Sequence, residues 1–485
     1  SALVACATPS VLHEPTPQPP EKKLEPPTPA SPAPAIAQHG PAEIPRLEPS
    51  AHLEAGRAAL KEKNAPLALA HLRACVARQP ENVECLWELG WAYSLQGDWD
   101  AVIARWEQVK ALQPDHPDVD GRLEDARNQQ QLRRRLDEAA RDAPPAVRPP
   151  PTPGVSLRIR AAGDVMLGTE FPAGFLPPED GARMLAGVQD WLRDADLTFV
   201  NLEGPLCDDP RPSDKCRRGS NCYAFRTPTR YVKYLVDAGI DLASTANNHS
   251  GDFGEECRRQ TEAALDRAGI RWSGPPGSMA SLQAKGLRVA LIAFHTSAAT
   301  NDVNDHRAAA ALVRTAAASH DVVIVSFHGG AEGARALHVP AGEEQFYGEN
   351  RGHLRKFAHL VVDAGADLVL GHGPHVLRGM EIYRDRLIAY SLGNFATYGR
   401  FNLSGAMAVG AVLEAVLDAQ GRFVSGRILP TRQVGEGVPE KDASKGALQY
   451  VRLLSREDFP ESGVVVDADG NIGARPGASA AEGQR

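Results

Sequence analysis

Over residues 157–418 the chain alternates short apolar runs with longer stretches whose apolar residues recur at helical spacing, and no feature of the sequence limits the fold more. Runs such as "DLTFVNLE", "RVALIAFH", "DVVIVSFHGG" and "ADLVLGH" have the length and β-branched content of buried strands. Between them, "TRYVKYLVDAG", "EECRRQTEAALDRAG" and "RGHLRKFAHLVVDAG" carry an apolar stripe and end near a glycine, the residue that most easily closes a helix. The alternation predicts an α/β fold. The last runs, "RLIAYSLGNF" and "MAVGAVLEAVL", have no helix between them, so sheet-on-sheet layering is expected rather than a single doubly wound sheet.

Nearly every run ends, on its C-terminal side, in a polar group able to bind a metal. Asp164 ends one, Glu203 the next, then Asn248 with His249, then His328, then His372 and His375. In open α/β sheets the carboxyl ends of strands open into one crevice, where residues distant in sequence converge. Taken singly, each has an ordinary reading as a turn residue or a satisfied polar side chain. Their recurrence at one strand end after another points to a site. Carboxylate, amide and imidazole without thiolate suit one or two divalent ions such as Mn, Fe, Zn or Mg. A pair of ions about 3.5–4 Å apart would clamp a phosphoryl oxygen for in-line attack.

Ahead of this region, residues 51–142 carry a repeat with a period of 34 residues: Gly56 recurs as Gly90, Ala68 as Val102, Leu72 as Trp106 and Pro80 as Pro114. The pattern resembles the tetratricopeptide repeat, an all-α unit in which glycine allows close helix approach and proline ends the second helix. Residues 117–142 would cap the stack with a polar-faced helix. Such arrays commonly bind a protein partner, although two copies also suit a structural or dimerising role. Residues 143–156 form a proline-rich linker, and residues 431–485 are expected to be a partly disordered extension.

Thirteen of the 38 prolines fall within residues 1–50, which reads as an extended, disordered tether. Leu3-Val4-Ala5-Cys6 resembles a bacterial lipobox, which implies a lipid anchor at Cys6 as the membrane contact and a periplasmic or surface-facing place in the cell envelope. Cys75, Cys85, Cys207, Cys216, Cys222 and Cys257 are an even set compatible with disulfides in an oxidising compartment. Their spacing leaves connectivity open and lacks the CxxC pairs of structural zinc. A net charge of -8 argues against a nucleic-acid partner. No apolar stretch reaches the roughly 18 residues needed to span a bilayer.

"AAGDVMLG", "FVNLEGPL", "ANNHSGDFG", "SFHGGAEG", "DAGADLVLGHGPHVLRGMEIY" and "LIAYSLGNF", in that order, resemble the motifs of the poly-γ-glutamate capsule-synthesis (CapA-type) family over residues 157–430. The resemblance implies a calcineurin-like metallophosphoesterase fold, a four-layer α/β/β/α sandwich. It also implies roles: Asp164, Glu203, Asn248, His328, His372 and His375 as metal ligands, and His249 as the group that protonates the leaving oxygen or steadies the transition state. Asp252 and Glu381 would orient the histidines. Two departures stand out. Met166 occupies the place of a usual histidine, so one metal loses a ligand, and the closing histidines are more widely spaced. Lys215, Arg217 and Arg218, within residues 207–225, read as solvated charges of a disulfide-stapled loop, or alternatively as a lure for an anionic substrate. The function implied is a surface-anchored metal-dependent hydrolase acting on an anionic envelope polymer or a phosphorylated substrate. The alternative is a non-catalytic assembly factor that binds polymer and recruits partners through its repeats.

Overall fold

The computed structural model describes residues 47–141, 154–213 and 223–474. Cys6 and the proline-rich start, most of the linker, Lys215, Arg217, Arg218, Cys216, Cys222 and residues 475–485 lie outside them. Among the described residues no helix is long and apolar enough to cross a membrane.

The first helices are α1 (Pro49–Lys61), α2 (Ala65–Arg78), α3 (Val83–Ser94), α4 (Trp99–Leu112) and α5 (Val119–Arg141). Short polar side chains set their starts: the carbonyl oxygen of Asn64 accepts the Leu67 N–H at 3.2 Å, and Asn82 and Asp98 accept from Cys85 and Ala101 in the same way. From Pro49 to Val83, and from Ala65 to Trp99, the helix starts keep the interval of 34 residues. The paired glycines act as the repeat requires. A Cβ on Gly56 would stand 2.5 Å from the Leu72 side chain, and one on Gly90 only 2.1 Å from the Trp106 indole. A disulfide between Cys75 and Cys85 ties α2 to α3.

The α/β body opens with β1 (Ser156–Met166), α6 (Gln189–Arg193), β2 (Leu197–Leu202), α7 (Val232–Asp237), β3 (Leu242–Ser244), α8 (Gly254–Ala268) and β4 (Arg271–Ser273). Then come β5 (Ala280–Ala284), β6 (Leu287–His295), β7 (Asn301–Asp302), α9 (His306–Ala317), β8 (Val322–His328), β9 (Gln345–Phe346), β10 (Glu349–Asn350) and α10 (Leu354–Asp363). After these follow β11 (Leu368–His372), β12 (Met380–Tyr383), β13 (Arg386–Ala389), β14 (Asn394–Thr397), β15 (Val409–Asp418) and β16 (Phe423–Val434). The last elements are β17 (Val438–Lys441), α11 (Gly446–Asp458), β18 (Val465–Val466) and β19 (Asn471–Gly473).

Two large sheets result. One runs β18-β19-β16-β15-β1-β2-β3-β4, with β14 beside β1 and β17 beside β16; the other runs β12-β13-β11-β8-β6-β5, with β7 beside β6. Their facing sides share one core, in which Ile159 and Phe199 of the first sheet join Leu291, Ile324 and Leu370 of the second. The outer face of the first sheet packs on α6, α7 and α8, and that of the second on α9 and α10. Fully buried strands explain the continuous apolar runs in the sequence.

The body does not end near residue 430. β17, α11, β18 and β19 extend it, with Leu448, Val451, Leu454, Val466 and Ile472 in the inter-sheet core, so only residues 475–485 of the expected extension fall outside the described fold. Helix α5 also does more than cap the repeats with a polar face. Its Leu132 and Leu136 are buried in the same core cluster as Tyr450 and Leu454 of α11, and Arg135 pairs with Glu457.

Candidate metal centre

Parallel pairing brings the strand-end residues together before any side-chain contact is considered. In the first sheet Asp164 stands in register with Asn201 on β2 and with Asn394 on β14. In the second, His295, His328 and His372 lie side by side on β6, β8 and β11. Gly163 lets β1 and β14 approach: a Cβ there would meet the Gly393 carbonyl oxygen at 2.0 Å. The Asp164 N–H donates to that same oxygen.

Asp164, Glu203 and His375 form one buried cluster whose ligand atoms all lie within 4.8 Å of one another. The His375 Nδ1 lies 3.0 Å from Asn394 Oδ1 and 3.2 Å from Asp164 Oδ2, while its Nε2 lies 3.6 Å from Glu203 and 3.9 Å from Glu332. Donation from Nδ1 to Asn394 leaves the Nε2 lone pair for a cation, the usual arrangement of a ligating histidine. His375 is held at φ 59°, a conformation that costs a non-glycine residue about 1–3 kcal/mol and collects at functional sites. His372 Nδ1 lies 3.2 Å from Asp164 Oδ1, and the Asn201 amide nitrogen lies 2.8 Å from Asp164 and 3.4 Å from His328 Nδ1.

The buried polar atoms test whether a metal fits. Neither oxygen of Glu203, nor Nε2 of His328 or His372, has a hydrogen-bond partner. Each such atom costs about 1–3 kcal/mol if left unsatisfied, and a divalent cation satisfies carboxylate and imidazole donors together. The charges agree. Burial, and then Asp164, push the Glu203 carboxyl well above its ordinary value. Burial also works to raise Asp164, but the imidazoles of His372 and His375 outweigh it and hold that carboxyl well below the usual range. Burial, then His295, keep His328 neutral, the form that binds metals. This buried Asp, Glu and His group could hold a metal ion.

His249 is buried on the turn after β3, with Nδ1 2.7 Å from Asp252 Oδ2, and that carboxylate also accepts the Phe225 N–H. Its ring lies 4.3 Å from that of Phe225, which stacks on Phe401, and Phe401 in turn lies edge-on to His375. Asn248 shares the turn and is half-buried. Its neighbour Asn247 donates to Asn201 and to the Leu202 carbonyl. Glu381 departs from expectation: it accepts from His359 at 2.8 Å, from Tyr390 at 2.7 Å and from Ser462, not from His372 or His375. The reason is the strand geometry, because β12 pairs antiparallel with β13 and sets Glu381 opposite Ile388, beside α10 and α11 rather than at the strand ends. Met166 is buried and its sulfur takes the Gly168 N–H, so this position is apolar and already partnered.

Several neighbours escape the sequence reading. His295 closes "RVALIAFH" just as His328 closes "VVIVSFH", and its Nδ1 lies 2.8 Å from the His328 carbonyl oxygen. Asn201, two residues before Glu203, carried the same signal. Glu332 and Arg351 did not: Arg351 is 2% exposed, pairs with Glu332 at 2.9 Å and reaches the cluster from a separate loop. Two more residues hold that loop from beneath, as buried Arg378 makes a two-pronged bond to Glu344 at 2.9 and 2.7 Å. The Cys207–Cys257 disulfide anchors the loop after Glu203 to α8.

Known proteins similar to this chain agree with the motifs. Capsule biosynthesis protein CapA of Bacillus anthracis is 25% identical over 260 residues, covering 49% of this chain and 59% of that protein. PGA biosynthesis protein CapA of Bacillus subtilis (strain 168) is 24% identical over 262 residues, covering 49% and 63%. The chain thus spans about three fifths of the length of these relatives. A solved O-GlcNAc transferase mutant from Thermobaculum terrenum aligns over 68% of this chain and 72% of its own at 16% identity, with a TM-score of 0.18 that carries no structural argument. Residues 158–398, which contain every donor around Asp164, match the family described as bacterial capsule synthesis protein PGA_cap, and together with the two relatives this supports a capsule-synthesis family of the CapA type for that segment.

Proposed function

We propose that the α/β body is a metal-dependent hydrolase with the α/β/β/α layering of metallophosphoesterases, acting in the synthesis, trimming or export of an anionic cell-envelope polymer. The observation that carries this reading is the buried set of Asp164, Glu203 and His375, beside unpartnered nitrogens of His328 and His372. A divalent cation held there, with Asn248 as a further ligand, supplies a Lewis acid for a phosphoryl oxygen. The protein's own groups do the rest. Asp252 fixes the His249 ring through Nδ1, and the imidazole held in this way would deliver a proton to the leaving oxygen. Arg351 places a fixed, forked positive charge beside the cluster, suited to a phosphoryl group. Phe225 and Phe401 line the path between His249 and His375 with apolar surface that limits water.

The names of the relatives point to a capsular polymer, with poly-γ-glutamate as the first candidate, and to a place in the cell envelope. Cys6 would supply the lipid anchor, and the repeats a surface for a protein partner. One observation favours a second reading, that of an assembly factor without turnover: Met166, at the position where the family resemblance implies a metal-binding histidine, is buried with its sulfur taken by the Gly168 N–H.

The test is metal content and phosphodiester hydrolysis of the full chain, beside His375→Ala and His249→Ala. Hydrolysis should fall about 100- to 10,000-fold in His249→Ala with metal retained, and metal should be lost in His375→Ala. No stoichiometric metal after reconstitution with Mn or Zn, or no turnover by the metal-loaded wild type, would leave the assembly factor standing; undiminished turnover in His249→Ala would instead remove that histidine from the reaction.

A further inference from the structure

The helical repeats reach the surroundings of the metal centre. They belong to one compact unit with the α/β body, and a cavity of about 1000 Å³ runs from His375 and Glu332 to the helices. Its lining from the repeats includes Trp91 of α3, Trp99 of α4 and Arg122, Asp125 and Arg135 of α5. The body contributes Arg335 and His338 from the segment between β8 and β9.

This lining is positive, in a chain whose net charge is -8. Among the described residues, three guanidiniums and His338 stand against two carboxylates, Asp125 and Glu332. Asp125 is shared: Arg122 lies 3.7 Å from it and Arg335 3.6 Å, so one carboxylate answers two guanidiniums from different parts of the fold. Both distances exceed a hydrogen bond, and the Arg335 side chain is 76% exposed. Loose, exposed pairs of this kind contribute little, so a ligand carboxylate can take over these guanidiniums at small cost. Glu332 is itself held by Arg351 at 2.9 Å. Arg135 pairs with Glu457 and His338 with Asp458 at 2.7 Å, but both carboxylates belong to α11 and do not line the cavity. The bond to Asp458 raises the His338 imidazole above its ordinary value, against burial.

Between the cations the lining is neutral. The Arg122 guanidinium lies over the Trp91 ring, 5.0 Å from its centre, and Asn128, Gln129, Gln131 and Asn402 add side-chain amides. A densely charged phosphate chain calls for a cation at nearly every unit, whereas here a few cations are set among indoles and amides. An amide both donates and accepts, as does each link of an amide-joined chain, and methylene spans suit an indole face.

The geometry points to a site, shared by the repeats and the body, that holds an extended acidic polyamide: Arg122, Arg135 and Arg335 take its carboxylates, Trp91 and Trp99 carry its apolar spans, and the amides meet its links. That one link lies at His375 rests on the hydrolase reading proposed above; the binding itself rests on the lining. Arg122 and Arg135 precede residues 158–398, the segment that matches the capsule-synthesis family, so the repeats grip the length of the substrate from outside that segment.

The experiment titrates the full chain with γ-linked hexaglutamate, the neutral hexaglutamine, hexagalacturonate and a glycerol-phosphate hexamer, reading indole fluorescence and heat. Hexaglutamate should bind most tightly and weaken about fivefold between about 50 and 200 mM salt. Arg122→Gln and Arg335→Gln should each weaken it about tenfold. Asp125→Asn, which frees two guanidiniums from their carboxylate, should tighten it about threefold, a gain that partial unfolding cannot produce. No binding of hexaglutamate, equal binding of hexaglutamine, preference for the galacturonate or the glycerol phosphate, or unchanged affinity in both arginine variants overturns the site. His249→Ala should bind hexaglutamate as the wild type does. Retained binding with no turnover by the metal-loaded wild type would sink the hydrolase reading and leave the site intact.

Discussion

At neutral pH the metal-free cluster around His375 holds protons that a cation must displace. Burial opposes the charged imidazole, but Glu203 and then Asp164 outweigh it and raise its pKa to about 10, while Glu203 is itself pushed up. Ligation needs a neutral imidazole and an ionised carboxylate, so binding releases protons and weakens as pH falls. Calorimetry in buffers of different ionisation heat should show about one to two protons released per ion at pH 7, with affinity rising toward pH 8; uptake of protons would contradict the assignment. Met166 sets the stoichiometry. With its sulfur taken by Gly168 and buried, the described residues form one three-ligand cluster, so metal analysis should give one equivalent per chain rather than two. Strand-end position was the legible signal for Asp164, Glu203, His328, His372 and His375, because a continuous apolar run and the polar residue that closes it are local properties. Arg351 and Glu332 were not legible: they arrive on loops whose course depends on the buried Arg378–Glu344 pair.

Among the elements, the helical repeat offers the sharpest tests. Gly90 exists for Trp106, whose Nε1–H donates to the Trp87 carbonyl at 3.2 Å. Gly90→Ala must displace that indole, and should cost about 1–3 kcal/mol, read as a lower denaturant midpoint. A pH effect belongs here as well. Burial, then His71 and Arg78, lower the pKa of His52, whose Nδ1 stands 3.0 Å from that of His71. A lowered folded value means the unfolded chain binds the proton first. Above about pH 6.5 nothing is lost, and stability declines as pH falls below it. Unfolding of the helices followed from pH 8 to 5 should show this decline, and His52→Asn should flatten it. The repeat period was plain in the sequence, since helix contacts between neighbours recur with it. Glu381 illustrates the opposite case: its motif neighbours serve the site, but an antiparallel turn to β12 places it against His359.

For the whole molecule, the decisive feature is the docking of α5 on α11. Leu132 and Leu136 sit in the core of the α/β body, so repeats and body should unfold together. Leu136→Asp buries a charge in that contact and should split a single calorimetric transition into two, the first from the helices; one unsplit transition would show the docking to be dispensable. The sequence by itself determined the local elements: strands from apolar runs, helices from their stripes and caps, the repeat from its period, and donors at strand ends, all of which depend on residues near in the chain. Only the tertiary structure decided which donors meet, which stay apart and what faces them. Those outcomes depend on sheet register, on the close approach at Gly163 and on packing between segments hundreds of residues apart, which no local pattern encodes.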